Sequence, residues 1–362
     1  IIKSFYARNK AVLFFQKDNR SWSVLDKLAK DLDCVIEAPE YRKPDYNLQI
    51  YSGFDTHSQV GIAREILKKI KGIDKTLVLL PDPAAVVPLL SEITQVVEEF
   101  NVSIGYPLNK SPLYAVFQLI FEAQNSRKLG QYYTRDYLKV LSHPLVKNIS
   151  FLGNDPAATR VLLHKIEEII TGGQDSPVSG SLFIKLSDIE NLKEVYQAAA
   201  ETLLKMGLEI SLQELKKNLR ELHWLLFYSW EKVENFSGFT SVLEEFLEVL
   251  VKRSLMENYP VNLLIADKIF ALSRELKNAK FCEEAFPQEE VFRIFLTHLD
   301  NQRIAFSGSP LKGLQVLGLF EIRSLNFENV IILDANEKVL PSLNIYEPLI
   351  PREIMVSLGL NR

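Results

Sequence analysis

Cysteine is nearly absent: the 362-residue chain holds two, Cys34 and Cys282. They form neither a CxxC metal spacing nor a disulfide framework, which fits a reducing compartment with both thiols as buried apolar filler. No apolar run approaches the ~20 residues that a membrane-spanning helix needs, which excludes a membrane protein. A basic excess is missing too. With a net charge of −4 the chain does not read as a free-standing nucleic-acid binder, whose field is basic, although a local basic patch remains open. There is no initiator methionine and no signal-peptide pattern, so the expectation is an excerpt from a longer polypeptide.

Catalytic signatures are equally scarce. The stretch "GSPLKGLQ" at 308–315 has the glycine spacing of a phosphate loop, but Leu314 and Gln315 stand where a lysine and a Ser or Thr must neutralise phosphate and hold magnesium. A flexible turn before a strand explains it better. "VIILD" at 330–334 ends in Asp334 as a metal-holding strand end does, yet no partner loop accompanies it, and a strand-end Asp opening a turn is the reading taken. The triplet "ELK", at 214–216 and 275–277, matches part of a nuclease signature by chance, since both copies lie in helical runs. His57, His143, His164, His223 and His298 are widely spread, and no two share the i, i+4 spacing of a helical metal site. Acidic pairs such as Glu98/Glu99, Glu167/Glu168 and Glu244/Glu245 read as solvated helix faces. No Ser or Cys sits in a nucleophile elbow. No catalytic residue, no metal site and no cofactor is expected of this segment.

What is present is a change of texture along the chain. Up to about residue 110, strand-like and helix-like runs alternate: 10–15 β-like, 21–32 helical, 47–52 β-like, a helix capped by Ser58 and ended by Gly72, a strand at 76–82, a helix at 82–100 and a strand at 102–108. From about 111 to 300 long helical periods take over, at 154–173 with Asp155 as cap and Pro156 at the first position, and at 189–206, 211–230, 241–256 and 261–276. Two strands return after 313. A helical block inside an α/β unit has the pattern of an inserted domain.

The stretch "GLQVLGLFEIRSLNFENVIILDANEKVLPS" at 313–342 carries the family signal: a strand, the turn Ser324, Leu325, Asn326, Phe327, a second apolar strand, then Asn336, Glu337, Lys338 and Pro341. It resembles the region of superfamily I DNA helicases where a Gly-Leu-Glu-Phe turn precedes an apolar strand and an Asn/Glu-Gly-x-x-Pro motif. "NLQIYSGFDTHSQVGIAREI" (47–66) and "TLVLLPD" (76–82) are similar to the start of the second RecA-like domain of UvrD and RecB-type helicases. "YYTRDYLKVLSHPLV" (132–146) resembles the early helical insertion of RecB and AddB-type chains. Together the pattern most resembles an AddB-like subunit of a bacterial helicase-nuclease complex of the PD-(D/E)XK nuclease family, over most of the chain and with loose motifs.

The resemblance implies an α/β fold in which a RecA-like, mainly parallel sheet is interrupted by a large, mostly α-helical insertion. Residues 1–45 would end a preceding domain or linker, 46–110 and 301–362 would form the second RecA-like domain, and 111–300 the insertion. The strands near 48–52, 77–80, 103–106, 314–319 and 330–333 would share one sheet. Departures from the family bear on activity. Arg323, Ser324 and Asn326 replace the lysine, glycine and glutamate of the nucleotide-site turn, and Gly318 and Phe320 replace a DNA-touching Thr and His. Lys110 is the only cation near where active relatives place an ATP-sensing arginine. The implied role is a noncatalytic helicase-like module of a DNA-repair and recombination exonuclease, contacting DNA backbone through Lys110, Lys312, Arg323 and Lys338. Its partners would be DNA and a second subunit of the AddA type in a bacterial cytoplasm, with ATP and magnesium belonging to the parent protein. Two alternatives stand beside it: part of a working helicase whose ATPase motifs lie elsewhere, and an α-helical protein-interaction module with no nucleic acid.

Overall fold

The computed structural model describes residues 2–8, 10–13, 15, 23–36, 46–151, 155–172, 178–258, 260–306, 312–323, 325–337, 339–340 and 354. The chain starts with α1 (Ile2–Ala7) and α2 (Ser23–Leu32), followed by α3 (Thr56–Leu67), β1 (Thr76–Leu80), α4 (Val86–Ile93), β2 (Phe100–Val102) and β3 (Tyr106–Pro107). Next come α5 (Pro112–Asn125), β4 (Tyr132–Tyr133), α6 (Thr134–Ser142), α7 (Pro144–Lys147), α8 (Pro156–Thr171) and β5 (Phe183–Ile184). The helices α9 (Leu186–Glu190), α10 (Lys193–Lys205), α11 (Leu212–Leu226), α12 (Phe236–Arg253), α13 (Pro260–Lys277) and α14 (Gln288–Asp300) complete the middle. The chain then forms β6 (Arg303–Ile304), β7 (Leu314–Gly318) and β8 (Asn329–Ile332).

Two compact units result: Ile1–Ser103 with Gly308–Arg362, and Ile104–Ser307. The second is thus inserted in the first. The divide falls at 103/104 and 307/308 rather than at 110 and 300, because β3 pairs antiparallel with β6 through Tyr106 and Ile304 and closes the two ends of the helical unit on each other.

In the first unit four strands make a parallel sheet in the order β2-β7-β1-β8. Every residue of β1 and β7 is buried, as continuous apolar strands of a parallel sheet require. On one face Leu77, Leu79 and Leu317 form a cluster closed by Ile322 and Phe327 from the β7–β8 connection. Among the described residues β8 is an edge strand, and its Val330 and Ile332 stay half exposed. Helices α3 and α4 pack together, tied by an Arg64–Glu92 ion pair at 2.6 Å.

Several local expectations are corrected. Residues 47–52 join no ladder among the described residues, and Leu48 and Ile50 are exposed; alternation alone does not supply a neighbouring strand. The described part of 10–15 is not a strand either. Asp55, not Ser58, caps α3: its carboxylate accepts from Ser58 N at 2.8 Å while Ser58 Oγ accepts from Asp55 N at 3.0 Å, a capping box with Ser58 in the third helical position. That helix ends at Leu67, before Gly72. The single helix expected over 82–100 is a 3-10 turn, Pro83–Ala85, followed by α4. The strand expected over 102–108 divides, with β2 in the sheet and β3 in the helical unit.

The helical unit is organised by aromatic packing. Phe121 stacks on Phe292 at 4.1 Å between centroids, and Phe117, Trp230, Phe239, Phe246 and Phe295 surround them, all buried. Asp155 caps α8 and Pro156 opens it, as the sequence indicates.

Candidate nucleic-acid interface

The carboxyl ends of parallel strands are where open α/β sheets present ligand-binding groups. After β1, Asp82 accepts from Ala84 N at 2.9 Å and caps the turn. After β8, Asp334 takes a left-handed conformation, φ +47°. Its Oδ1 accepts from Gln59 Nε2 and its N–H donates to Gln59 Oε1, both at 2.9 Å. These two hydrogen bonds fix the first turn of α3 to the end of β8. The first-turn amide at Ser58, which an anionic ligand would seek, is taken by Asp55. The three carboxylates at this edge thus serve backbone and amide donors.

The connection from β7 to β8 carries the motif residues. Phe320 is 70% exposed, and the Arg323 guanidinium lies 4.9 Å from its ring centroid, so an aromatic face and a cation are presented together. Phe327 turns inward onto the apolar cluster, while Leu325 and Asn326 are exposed. After β8, the backbone oxygen of Asn336 accepts from Val339 N and Leu340 N, and Glu337 is exposed. Ser324, Lys338 and Pro341 lie outside the described residues.

Of the four expected DNA-contact cations, Lys110, Arg323 and Lys338 are the ones expected on one rim, with Lys312 preceding its strand, and Lys338 lies outside the described residues. Lys312 precedes β7, at the amino end of the sheet, whereas Arg323 is on the connection that leaves its carboxyl end. Lys110 belongs to the helical unit, in the 3-10 turn Leu108–Lys110 after β3, and its backbone oxygen accepts from Tyr106 Oη at 2.8 Å. Of the two described cations in the sheet unit, Arg323 sits beside the motif residues and Lys312 stands at the opposite end of β7.

The glycine spacing at 308–315 also receives a structural account. Gly313 has φ +71°, and a Cβ there would lie 2.0 Å from the Glu99 carbonyl oxygen. Its N–H donates to Asp74 Oδ1 at 2.7 Å, and Leu314 N donates to Glu99 O at 3.0 Å. Gln315 is buried and accepts from Asn101 Nδ2 at 2.9 Å across the β2–β7 ladder.

In the helical unit, Tyr137 on α6, His223 on α11 and Glu190 on α9 form a buried chain, with His223 Nε2 2.9 Å from Tyr137 Oη and Nδ1 2.8 Å from Glu190. Burial pushes the His223 ring below its ordinary value, so it is neutral, donating to Glu190 and accepting from Tyr137. Tyr137 and His223 have no exposed surface, so this chain joins three helices rather than meeting a substrate. Burial likewise lowers His143, to about 4. Cys34 and Cys282 are free and half-buried rather than buried. Among the described residues no group of three or more His, Cys, Asp or Glu is placed to hold a metal ion, and no helix is long and apolar enough to cross a membrane.

Comparison with known protein families finds no family that matches this chain, and no curated protein matches it.

Proposed function

We propose that this chain is a noncatalytic, helicase-like module of a DNA-repair helicase-nuclease, built on a RecA-like sheet and contacting DNA through its backbone. One observation carries the reading: the stretch 313–336, whose pattern resembles the helicase motif, forms two parallel strands flanking β1, joined by a connection with Phe327 inward and Phe320 and Arg323 outward. A guanidinium stacked on an exposed ring offers charge to a phosphate and a π-face to a base, a combination suited to single strands. The helical insertion and the return of the chain to its starting sheet agree with the same reading.

The experiment is titration of a fluorescent single-stranded oligonucleotide with the whole chain and with Arg323→Glu. The reading predicts saturable binding that the charge reversal weakens. Equal binding by both proteins would remove the connection from the interface.

A further inference from the structure

A buried ring that plays no part in the DNA reading fastens two arms of the helical unit together. β4 runs directly into α6, β5 leads into α9, and the two strands pair, Tyr132 opposite Ile184 and Tyr133 opposite Phe183. Beyond the strands each arm returns a side chain to the same imidazole on α11. Tyr137 of α6 meets His223 Nε2 at 2.9 Å, and Glu190 of α9 meets Nδ1 at 2.8 Å. Tyr228 lies edge-on to the ring at 6.5 Å. Arg220 on α11 stands 3.5 Å from the Glu190 carboxylate, and Tyr196 Oη on α10 donates to the Glu190 backbone oxygen at 2.9 Å. Helix α8, which also packs on α11, buries the apolar Leu162, Leu163 and Ile166. In this group His223 alone has an ordinary titration between about pH 7 and 5.

The junction is directional. Burial would raise the Glu190 carboxyl, but the bond from His223, the Arg220 charge and Tyr228 hold it below its ordinary value. The carboxylate therefore only accepts, and Nδ1 must carry the ring proton. Nε2 is left as a lone pair, to which Tyr137 donates. Among the described residues the Tyr137 hydroxyl meets no other acceptor. A second ring proton, on Nε2, would set two donors against each other and strand the Tyr137 O–H where no surface is exposed. The two arms are thus held only by a neutral ring.

We propose that His223 is a proton-operated latch: a proton on Nε2 breaks the Tyr137 bond and releases α9 and the β5 arm from α11, while the aromatic core stays closed. The proton is taken up when the arm opens and the ring meets water, and it then keeps the arm open. Burial lowers the closed ring below its ordinary value, against the pull of Glu190. The open state therefore binds the proton more readily, so the closed state is favoured above about pH 6.5 and loses ground as pH falls below that. Glu190, held below its ordinary value, would act only at lower pH. The latch needs no DNA contact.

The test is hydrogen exchange of the whole chain across that pH range, read by mass on peptides over α9 and over α12 and corrected for the intrinsic rate. One proton taken up per opening predicts that protection of the Asp188, Asn191 and Leu192 amides, which bond within and just after α9, falls about ten-fold per pH unit below about pH 6.5. Peptides over α12 should keep their protection. His223→Gln removes the titrating ring and should flatten the α9 profile, whereas Glu190→Gln keeps the ring and should keep the slope. His143→Asn should also keep it, which separates the two buried rings. Nitrogen NMR of histidine-labelled wild type at neutral pH should find the His223 proton on Nδ1. Wild-type α9 protection that ignores pH, or an equal loss over α12, would overturn the latch. So would a slope that survives His223→Gln or vanishes in Glu190→Gln or His143→Asn, or a ring proton found on Nε2. If His223→Gln does not fold, the wild-type profile and the position of the ring proton decide the matter.

Discussion

Gly313 illustrates how a residue that mimics a functional motif is fixed by packing. Its left-handed φ and the Glu99 carbonyl 2.0 Å from an added Cβ leave no room for a side chain at the entry to β7. Gly313→Ala should destabilise the chain by about 2–4 kcal/mol, combining backbone strain with overpacking, as read from the urea midpoint; an unchanged midpoint would mean the approach is relaxed in solution. Gln315 makes the same point. It lacks the hydroxyl that magnesium binding needs, and its amide bridges β2 to β7 through Asn101. Gln315→Ala should cost about 1–3 kcal/mol by removing that buried bridge, and should change no ATP response. The sequence shows that a lysine is missing from this loop; it does not show the Glu99 contact, because Gly313 and Glu99 are brought together only by the finished sheet.

At the level of elements, short caps decide where helices start and how they respond to pH. His143 ends α6 and caps α7, with Nδ1 accepting from Leu145 N at 3.3 Å, so the cap requires a neutral ring. Burial lowers its pKa to about 4, against about 6.5 for an unperturbed ring. The unfolded chain therefore binds the proton more readily, and stability falls as pH drops through the window from about 6.5 to about 4. His143→Asn keeps an accepting oxygen but does not titrate, so its urea midpoint should depend less on pH in that window. An identical pH profile would show that His143 is not the responsible group. Helix α8 was legible down to its cap because Asp155 and Pro156 are adjacent in sequence and act locally. Residues 47–52 were not, since their alternation is that of a strand while ladder partners are a property of the assembled sheet.

For the whole molecule, the return of the chain to its starting sheet was readable from two shifts of texture, whereas the boundary near 103 and 307 depends on the antiparallel pairing of β3 with β6. The place of Lys312 at the amino end of β7 was readable, since it precedes that strand, whereas the membership of Lys110 in the helical unit follows from the pairing of β3 with β6. If this chain is the noncatalytic part of its parent, calorimetric titration with an ATP analogue and magnesium should give no saturable heat; binding tighter than about 0.1 mM, on the order of −5.5 kcal/mol, would contradict that.

The central claim, a DNA-contacting module that works without nucleotide, is tested most directly by the salt dependence of single-strand binding, followed by fluorescence anisotropy with and without ATP and magnesium. Three or four phosphate contacts predict weak, saturable binding whose log–log slope against salt is about −2 to −3, and which nucleotide leaves unchanged. No binding at low salt, or an affinity that shifts when ATP is added, would contradict the account.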